Sequence, residues 1–296
     1  MLSIDVGYGN VKICDGENFN AFPAVYYQCK SSYVPDEDPN DLLIEVDGIK
    51  YHIGMTAVAN NGVSVMDRGD MLHHKLFILT AICVASKGDF EDEVLLGLPI
   101  QDFQSIKEEL KKLQGEYDVV FNGSKRHINI TGVRVFQQGK AVYEVIKDEN
   151  DKIRREQVGI IDVGQKTVDF AWFKFGIYVP DKSGSLVDLG CYSAYTDIVN
   201  VLNDKEGLEL KFYDAPHYAD RVPKEAEAAY KRMADDIVAG LTNKGWGDFA
   251  LLDHIYVIGG GANLIAKYLP RQERIVVMEE PAFANAWGYF KGAEKK

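Results

Sequence analysis

Two aspartates, each followed two places later by a glycine, are the residues that could do chemistry here. Residues 4–13 read IDVGYGNVKI and residues 161–170 read IDVGQKTVDF, so Ile-Asp-Val-Gly opens both stretches, more than half the chain apart. Asp5 and Asp162 end apolar runs, and Gly7 and Gly164 let the backbone come close to a ligand. Amides in such a turn converge on one spot and form an anion nest. A carboxylate beside that nest would repel the anion, unless a divalent cation such as Mg²⁺ lies between carboxylate, phosphate and water. Lys12 follows Asp5 by seven residues. Two strands joined by a tight turn return its ammonium to the same nest, as a point charge for phosphate. The second stretch has Thr167 after Gly164, and Asp169 where Lys12 stood. Two such turns facing each other across a cleft would clamp a polyphosphate, which is a physical reason for the word to occur twice. One Asp-x-Gly alone is more often a plain hairpin turn. Two copies, each opening a half, favour the site.

A third glycine turn, Gly259-Gly260-Gly261-Ala262, follows the apolar run 255–258. Three glycines leave the backbone bare, so a base and sugar could lie flat on it; close packing of a helix on a strand is the plain alternative. Two other phosphate motifs are excluded. A P-loop needs GxxxxGK[ST], but in GIIDVGQKT (159–167) Gln165 separates Gly164 from Lys166, and the residues between the glycines are strand-like. A dinucleotide fingerprint needs GxGxxG opening a helix, whereas Gly7 and Gly9 lead to Lys12 and another strand.

The elements that must hold these turns can be read from periodicity. Ile4–Val6 is a buried strand, Val11–Cys14 is its return, and Asp15-Gly16 is a hairpin turn. Residues 31–50, rich in Ser, Pro, Asp and Asn, read as loop or a small insertion. Leu72, Leu76, Leu79 and Cys83 have helical spacing, EVLLGLP (93–99) is a strand stopped by Pro99, and INITGVRVF (128–136) is β-rich. Residues 223–244 form the clearest helix. Pro223 suits its first turn, Gly245 its stop, and Ala226, Tyr230, Met233, Ile237 and Leu241 make one apolar stripe. The alternation gives an α/β chain in two similar halves. KDENDKIRREQ (147–157) is almost wholly charged or polar and is the expected boundary: a first domain over 1–157, with an inserted subdomain at about 20–68 and completed by the C-terminal helix 272–296, and a second over 158–271.

The bulk composition narrows the function. The chain has 296 residues, 46% hydrophobic and 26% charged, with a net charge of −12. That charge argues against direct contact with nucleic acid, whose phosphates attract basic faces. No run of ~18 apolar residues predicts a membrane span. The chain starts directly in a strand-like pattern, and its four cysteines lack a CxxC pair, so a cytoplasmic protein with reduced thiols is expected. His73-His74 reads as a surface or interface pair, since neighbours on a helix point apart. Tyr26, Tyr27, Tyr33 and Tyr51 read as packing, as does Trp246.

DVGYGNVK, DVGQKTVD and VIGGGANLI resemble, in order, the phosphate-1, phosphate-2 and adenosine motifs of the actin-like ATPases. VRVFQQGKAVY (133–143) and FANAWGYFKG (283–292) resemble the two connecting motifs. The nearest resemblance is to the plasmid-segregation actins of bacteria (ParM/StbA-like) and their archaeal relatives, and it spans nearly the whole chain. It implies a duplicated, ribonuclease H-like two-domain fold with a nucleotide cleft. It implies that Asp5 and Asp162 hold Mg²⁺ mainly through water, that Gly7, Tyr8, Gly9, Asn10 and Lys12 bind phosphates, and that Gly164, Gln165, Lys166 and Thr167 do so from the other side. Gly259, Gly260, Gly261 and Ala262 would carry the adenosine, with Lys224 or Glu227 near the ribose or base. Gln138 falls where the family orients the attacking water, with Gln137 as the other register because the family's proline is missing. Tyr8 replaces the small hydroxyl residue of many relatives, and the outer subdomain of the second domain, about 204–236, is expected to be reduced. The implied activity is ATP hydrolysis coupled to head-to-tail filaments, with ATP/ADP and Mg²⁺ as cofactors. The implied partners are further copies of the chain and a DNA-binding adaptor (ParR-like). A small-molecule kinase, for which Asp169 would be the base, and a non-polymerising nucleotide-binding scaffold of the same architecture are the alternatives.

Overall fold

The first strand sets Leu2, Ile4 and Val6 on one face and Ser3 and Asp5 on the other. β1 (Leu2–Val6) is buried at every position. In the computed structural model, which describes residues 1–29, 41–64 and 71–295, the chain divides into two units. The first comprises residues 1–98, 102–137 and 285–296; the second comprises 99–101 and 138–284. Residues 147–157, the expected boundary, lie inside the second unit.

The strands of the first unit continue with β2 (Asn10–Cys14), β3 (Phe19–Pro23), β4 (Val25–Gln28), β5 (Leu42–Val46), β6 (Ile49–Ile53), β7 (Val63–Ser64), β8 (Phe90–Leu98), β9 (Gly115–Phe121) and β10 (Ser124–Gln137). Its helices are α1 (Met55–Ala59), α2 (Met71–Ala85) and α3 (Phe103–Lys111). The strands make a ten-stranded sheet in the order β3-β2-β1-β8-β10-β9-β5-β6-β4-β7. β1 runs antiparallel to β2 and parallel to β8, and β8 is parallel to β10. α2 is apolar almost all round and accordingly buried, with Leu76, Phe77 and Leu79 in the core.

The second unit holds α4 (Lys140–Glu149), β11 (Gln157–Val163), β12 (Thr167–Lys174), β13 (Ile177–Tyr178), β14 (Gly184–Val187), α5 (Cys191–Glu206), α6 (Ala215–Tyr218), α7 (Pro223–Leu241), β15 (His254–Ile258), α8 (Ala262–Ile265) and β16 (Ile275–Val277). The chain then enters α9 (Ala284–Glu294), nearly all of which belongs to the first unit. The sheet order is β13-β12-β11-β15-β16, with β14 also on β12. β11 is antiparallel to β12 and parallel to β15, which is parallel to β16. The order and sense repeat those of β3-β2-β1-β8-β10, so the duplicated word opens a duplicated sheet. α7 buries Ala226, Met233, Ile237 and Leu241, and the chain leaves it through a turn with Gly245 at φ 82°. Trp246 is buried edge-on to Trp172 and donates its indole N–H to the Lys182 carbonyl at 2.8 Å.

The region read as loop or a small insertion has a definite form among the described residues, and one other expectation changes. Residues 41–53 form a hairpin within the large sheet, while Tyr33 and 31–40 lie outside the described residues. His73 and His74 are buried, not at the surface, and His73 Nε2 lies 3.0 Å from the Tyr26 hydroxyl. A helix buried all round hides adjacent residues alike, even though they point apart. Among the described residues no helix is long and apolar enough to cross a membrane.

Candidate functional site

The two hairpins have one geometry. In the first, the Gly7 N–H donates to the Asn10 carbonyl at 3.1 Å; in the second, the Gly164 N–H donates to the Thr167 carbonyl at 3.0 Å. Val6 pairs with Val11 below one turn, and Val163 with Val168 below the other. Asp5 is therefore opposite Lys12, and Asp162 opposite Asp169, each pair on a common face of its sheet.

Asp5 is only 1% exposed, and its Oδ2 takes the Lys12 ammonium at 3.0 Å. A Cβ on Gly7 would lie 2.9 Å from that same Nζ, so the ammonium stands directly over the first glycine of the turn. The lysine thus neutralises a buried carboxylate and occupies the place from which it could face a phosphate. The Asp5 Oδ1 accepts the hydroxyl of Tyr289, on α9, at 3.2 Å. Sequence reasoning missed Tyr289, because 284 positions separate it from Asp5 and no local pattern connects them.

The second hairpin carries more acid. Asp162 and Asp169 are both buried, and Asp169 accepts hydroxyls from Thr167 at 3.3 Å and, closely, from Ser185 on β14. Ser185 was not foreseen; its signal is only the pairing of β14 with β12. The turn rests on the start of α5: the N–H groups of Gly190, Cys191 and Tyr192 donate to the carbonyls of Lys166, Gly164 and Gln165 at 3.3, 3.0 and 2.8 Å. The positive end of that helix dipole lies behind the turn. A Cβ on Gly190 would sit 2.5 Å from the Gln165 oxygen, so only glycine permits this contact.

The third turn adjoins the second hairpin because β15 is paired with β11, Ile258 opposite Asp162. Its glycines have different jobs. Gly259 has φ +85°, and a Cβ there would lie 2.4 Å from Asp162 Oδ1 and 2.5 Å from the Val163 carbonyl. A Cβ on Gly261 would meet Val163 Cγ1 at 2.4 Å and the Cys191 sulfur at 2.5 Å. Gly260 is exposed, with nothing within 4 Å of such a Cβ. Packing accounts for Gly259 and Gly261; Gly260 alone leaves an open surface. Ala262 is buried at the start of α8.

The remaining candidates are more scattered. Gln137 ends β10 in the first unit; Gln138, buried, follows in the second, just before α4, and its carbonyl accepts the Lys140 N–H at 2.7 Å. Lys224 is exposed on α7. Glu227, also on α7, accepts Lys267 Nζ and the Tyr268 hydroxyl, each at 3.2 Å, and the lysine bond holds its carboxyl below the usual range. Tyr8 and Gly9 form the tip of the first turn.

Each hairpin by itself offers groups of a kind that phosphate or a hydrated cation uses: Asp5 with Lys12 in the first unit, and Asp162 with Asp169, beside the bare backbone of Gly260, in the second. Among the described residues no group of three or more His, Cys, Asp or Glu could enclose a metal ion.

Comparison with known proteins agrees with the architecture. Residues 3–140 match the family described as actin like proteins N terminal domain, and residues 160–271 match archaeal actin homologue MreB-like, C-terminal. No curated protein sequence matches. Among solved structures, an archaeal actin homologue superposes with a TM-score of 0.83 at 21% identity, covering 100% of this chain and 99% of the other. A second structure of that homologue, in complex with ADP, gives 0.81 at 20% identity with coverage of 100% and 99%. A 15-stranded ParM filament from Clostridium botulinum gives 0.82 at 19% identity, again covering 100% and 99%.

Proposed function

Because this chain belongs to the actin-like proteins, we propose that it binds and hydrolyses Mg·ATP and assembles head to tail into filaments. Both acid-tipped hairpins serve one nucleotide. Lys12 and the turn Gly7–Asn10 hold phosphate oxygens from one unit, and Gly164–Thr167 from the other. Asp5 and Asp162 orient the water shell of the cation, and Gly260 with its neighbours takes the adenosine. When bound, the cation neutralises charge on the β- and γ-phosphates. Gln138, or Gln137 in the other register, orients the attacking water; a neutral amide positions water without deprotonating it, so rate depends on orientation and electrostatics. Lys224 and Glu227 are the candidates near ribose or base.

The observation that carries this reading is the repeated hairpin, with Asp5 and Asp162 at one register position and the third turn built onto Asp162. Two similar proteins support the rest: the archaeal actin homologue has been solved in complex with ADP, and a ParM forms a 15-stranded filament. Repeated contacts that do not close into a ring give filaments, and contacts of the γ-phosphate supply a switch between states. The net charge of −12 favours a DNA-binding adaptor (ParR-like) over direct DNA contact in a plasmid-positioning role. A small-molecule kinase with Asp169 as its base is less well supported, since that carboxylate is buried and already takes two hydroxyls. Sedimentation and electron microscopy with Mg·ATP, Mg·ADP and a non-hydrolysable analogue test the proposal. Filaments that form with ATP and shorten as it is consumed are expected, with hydrolysis lost in Asp162→Ala. Absence of polymer under every nucleotide refutes the filament; unchanged turnover in Asp162→Ala refutes the site.

A further inference from the structure

Resting on the Mg·ATP reading above, we propose that Tyr289 of the C-terminal helix is a positioning residue for Asp5, setting the carboxylate that faces the hydrated cation. Its ring is fully buried and stacked on Phe136, with centroids 5.7 Å apart and planes 14° off parallel. Its hydroxyl reaches Asp5 only by passing over β8 at Gly97. A Cβ on Gly97 would lie 1.9 Å from the hydroxyl oxygen and 2.1 Å from Cζ. A glycine weakens a strand and marks a place where another group comes close. The glycine in LLGLP, in the middle of the sheet, thus has a physical cause: it is the gap through which the C-terminal helix touches the first acid.

The consequence is a carboxylate fixed at both ends. Oδ1 accepts the phenol at 3.2 Å and Oδ2 the Lys12 ammonium at 3.0 Å. A carboxylate has about four lone-pair directions, and a fixed donor on each oxygen sets its plane. Loss of a group that orients a metal-binding carboxylate in this way typically costs about 10- to 100-fold in metal affinity. The helix is also docked independently of Asp5. The Ser3 hydroxyl donates to the Ala286 carbonyl at 2.6 Å, and the Phe290 ring covers Gly16, where a Cβ would lie 2.4 Å from it. Tyr289 therefore does something other than hold the helix in place.

The test titrates Mg²⁺ against binding of a fluorescent ADP analogue to the full chain, with affinity in chelator measured separately. In Tyr289→Phe the Mg²⁺ concentration for half-maximal enhancement should rise about 10-fold, at the low end for such orienting groups, while affinity in chelator stays at the wild-type value. Gly97→Ala, which displaces the hydroxyl and keeps it, should give the same signature. Ser3→Ala, which loosens the same helix without touching Asp5, should titrate like wild type. Circular dichroism establishes that each variant is folded. A wild-type Mg²⁺ midpoint in folded Tyr289→Phe overturns the proposal, and so does an equal shift in Ser3→Ala. If the wild-type chain binds no nucleotide, or binds it without regard to Mg²⁺, the nucleotide reading itself fails, an outcome distinct from either of these.

Discussion

The three consecutive glycines at 259–261 can be taken apart by substitution, because the structure gives each a different environment. Alanine at 259 must adopt φ +85° and place its Cβ 2.4 Å from Asp162 Oδ1 and 2.5 Å from the Val163 carbonyl. The left-handed backbone costs an L residue about 1–2 kcal/mol. Inserting a methyl into filled space costs about 1–3 kcal/mol, and the upper part applies because one obstacle is backbone, which cannot rotate away. Gly259→Ala should therefore lose about 2–5 kcal/mol. Alanine at 260 meets nothing within 4 Å and should stay within about 0.5 kcal/mol of wild type. Urea unfolding followed by tryptophan fluorescence reads the second unit once Trp287, the one tryptophan of the first unit, is replaced by Phe, since Trp172 and Trp246 both lie in the second. ADP binding then separates the roles. Gly260→Ala should bind more weakly at unchanged stability, because its methyl projects where the base and sugar are proposed to lie. Gly259→Ala as stable as wild type would refute the packing argument, and Gly260→Ala with full ADP affinity would refute the role of the bare backbone.

Lys12→Met strips the ammonium from a buried carboxylate; breaking such a pair from one side costs about 3–5 kcal/mol, measurable by urea unfolding at neutral pH. Burial pushes the thiol of Cys14 up to about 11 and those of Cys83 and Cys191 up to about 12. Titration of the folded chain with an aromatic disulfide at pH 8 should thus find Cys29, only half-buried, reacting ahead of the other three, with denaturant exposing all. The hydrogen bond that the His127 ring donates to Asp118 raises His127 above 6.5, so any stability from this pair is complete below that value and fades as pH climbs through the raised one. Asp118→Ala should return the His127 proton titration, followed by NMR, toward 6.5.

Much of the fold was legible because the hairpins are local. In IDVGYGNVKI and IDVGQKTVDF the acid, the glycine and the returning residue lie within eight positions, so strand, turn and register can be read together. α7 was legible for the same reason: one stripe, one proline and one glycine mark its face and ends. The extension of the first sheet by β9, β5, β6, β4 and β7 was not, since it depends on pairing Ile44 with Phe121 across the chain. Nor was the burial of His73 and His74, which depends on what surrounds α2. The charged stretch 147–157 shows composition misleading in another way: it ends α4 and makes one further turn around the buried Ile153, inside the second unit. Of the candidate site, the glycine turns were legible and their supports were not. Ser185, Tyr289 and Gly97 act through strand pairing or through a helix at the far end of the chain.

The duplication is close in backbone and divergent in charge, and the divergence falls at one register position. Both hairpins close with the same hydrogen bond, and both place an aspartate one pair below the valines. Opposite Asp5 stands Lys12; opposite Asp162 stands Asp169. Side chains opposed in this way are about 5 Å apart at Cβ. The first pair is nearly neutral by itself. The second pair sets two buried carboxylates face to face, and the hydroxyls of Thr167 and Ser185 donate to Asp169. The two hairpins thus share a backbone and an acid but differ in sign at the residue facing it, a lysine in one and a second acid in the other.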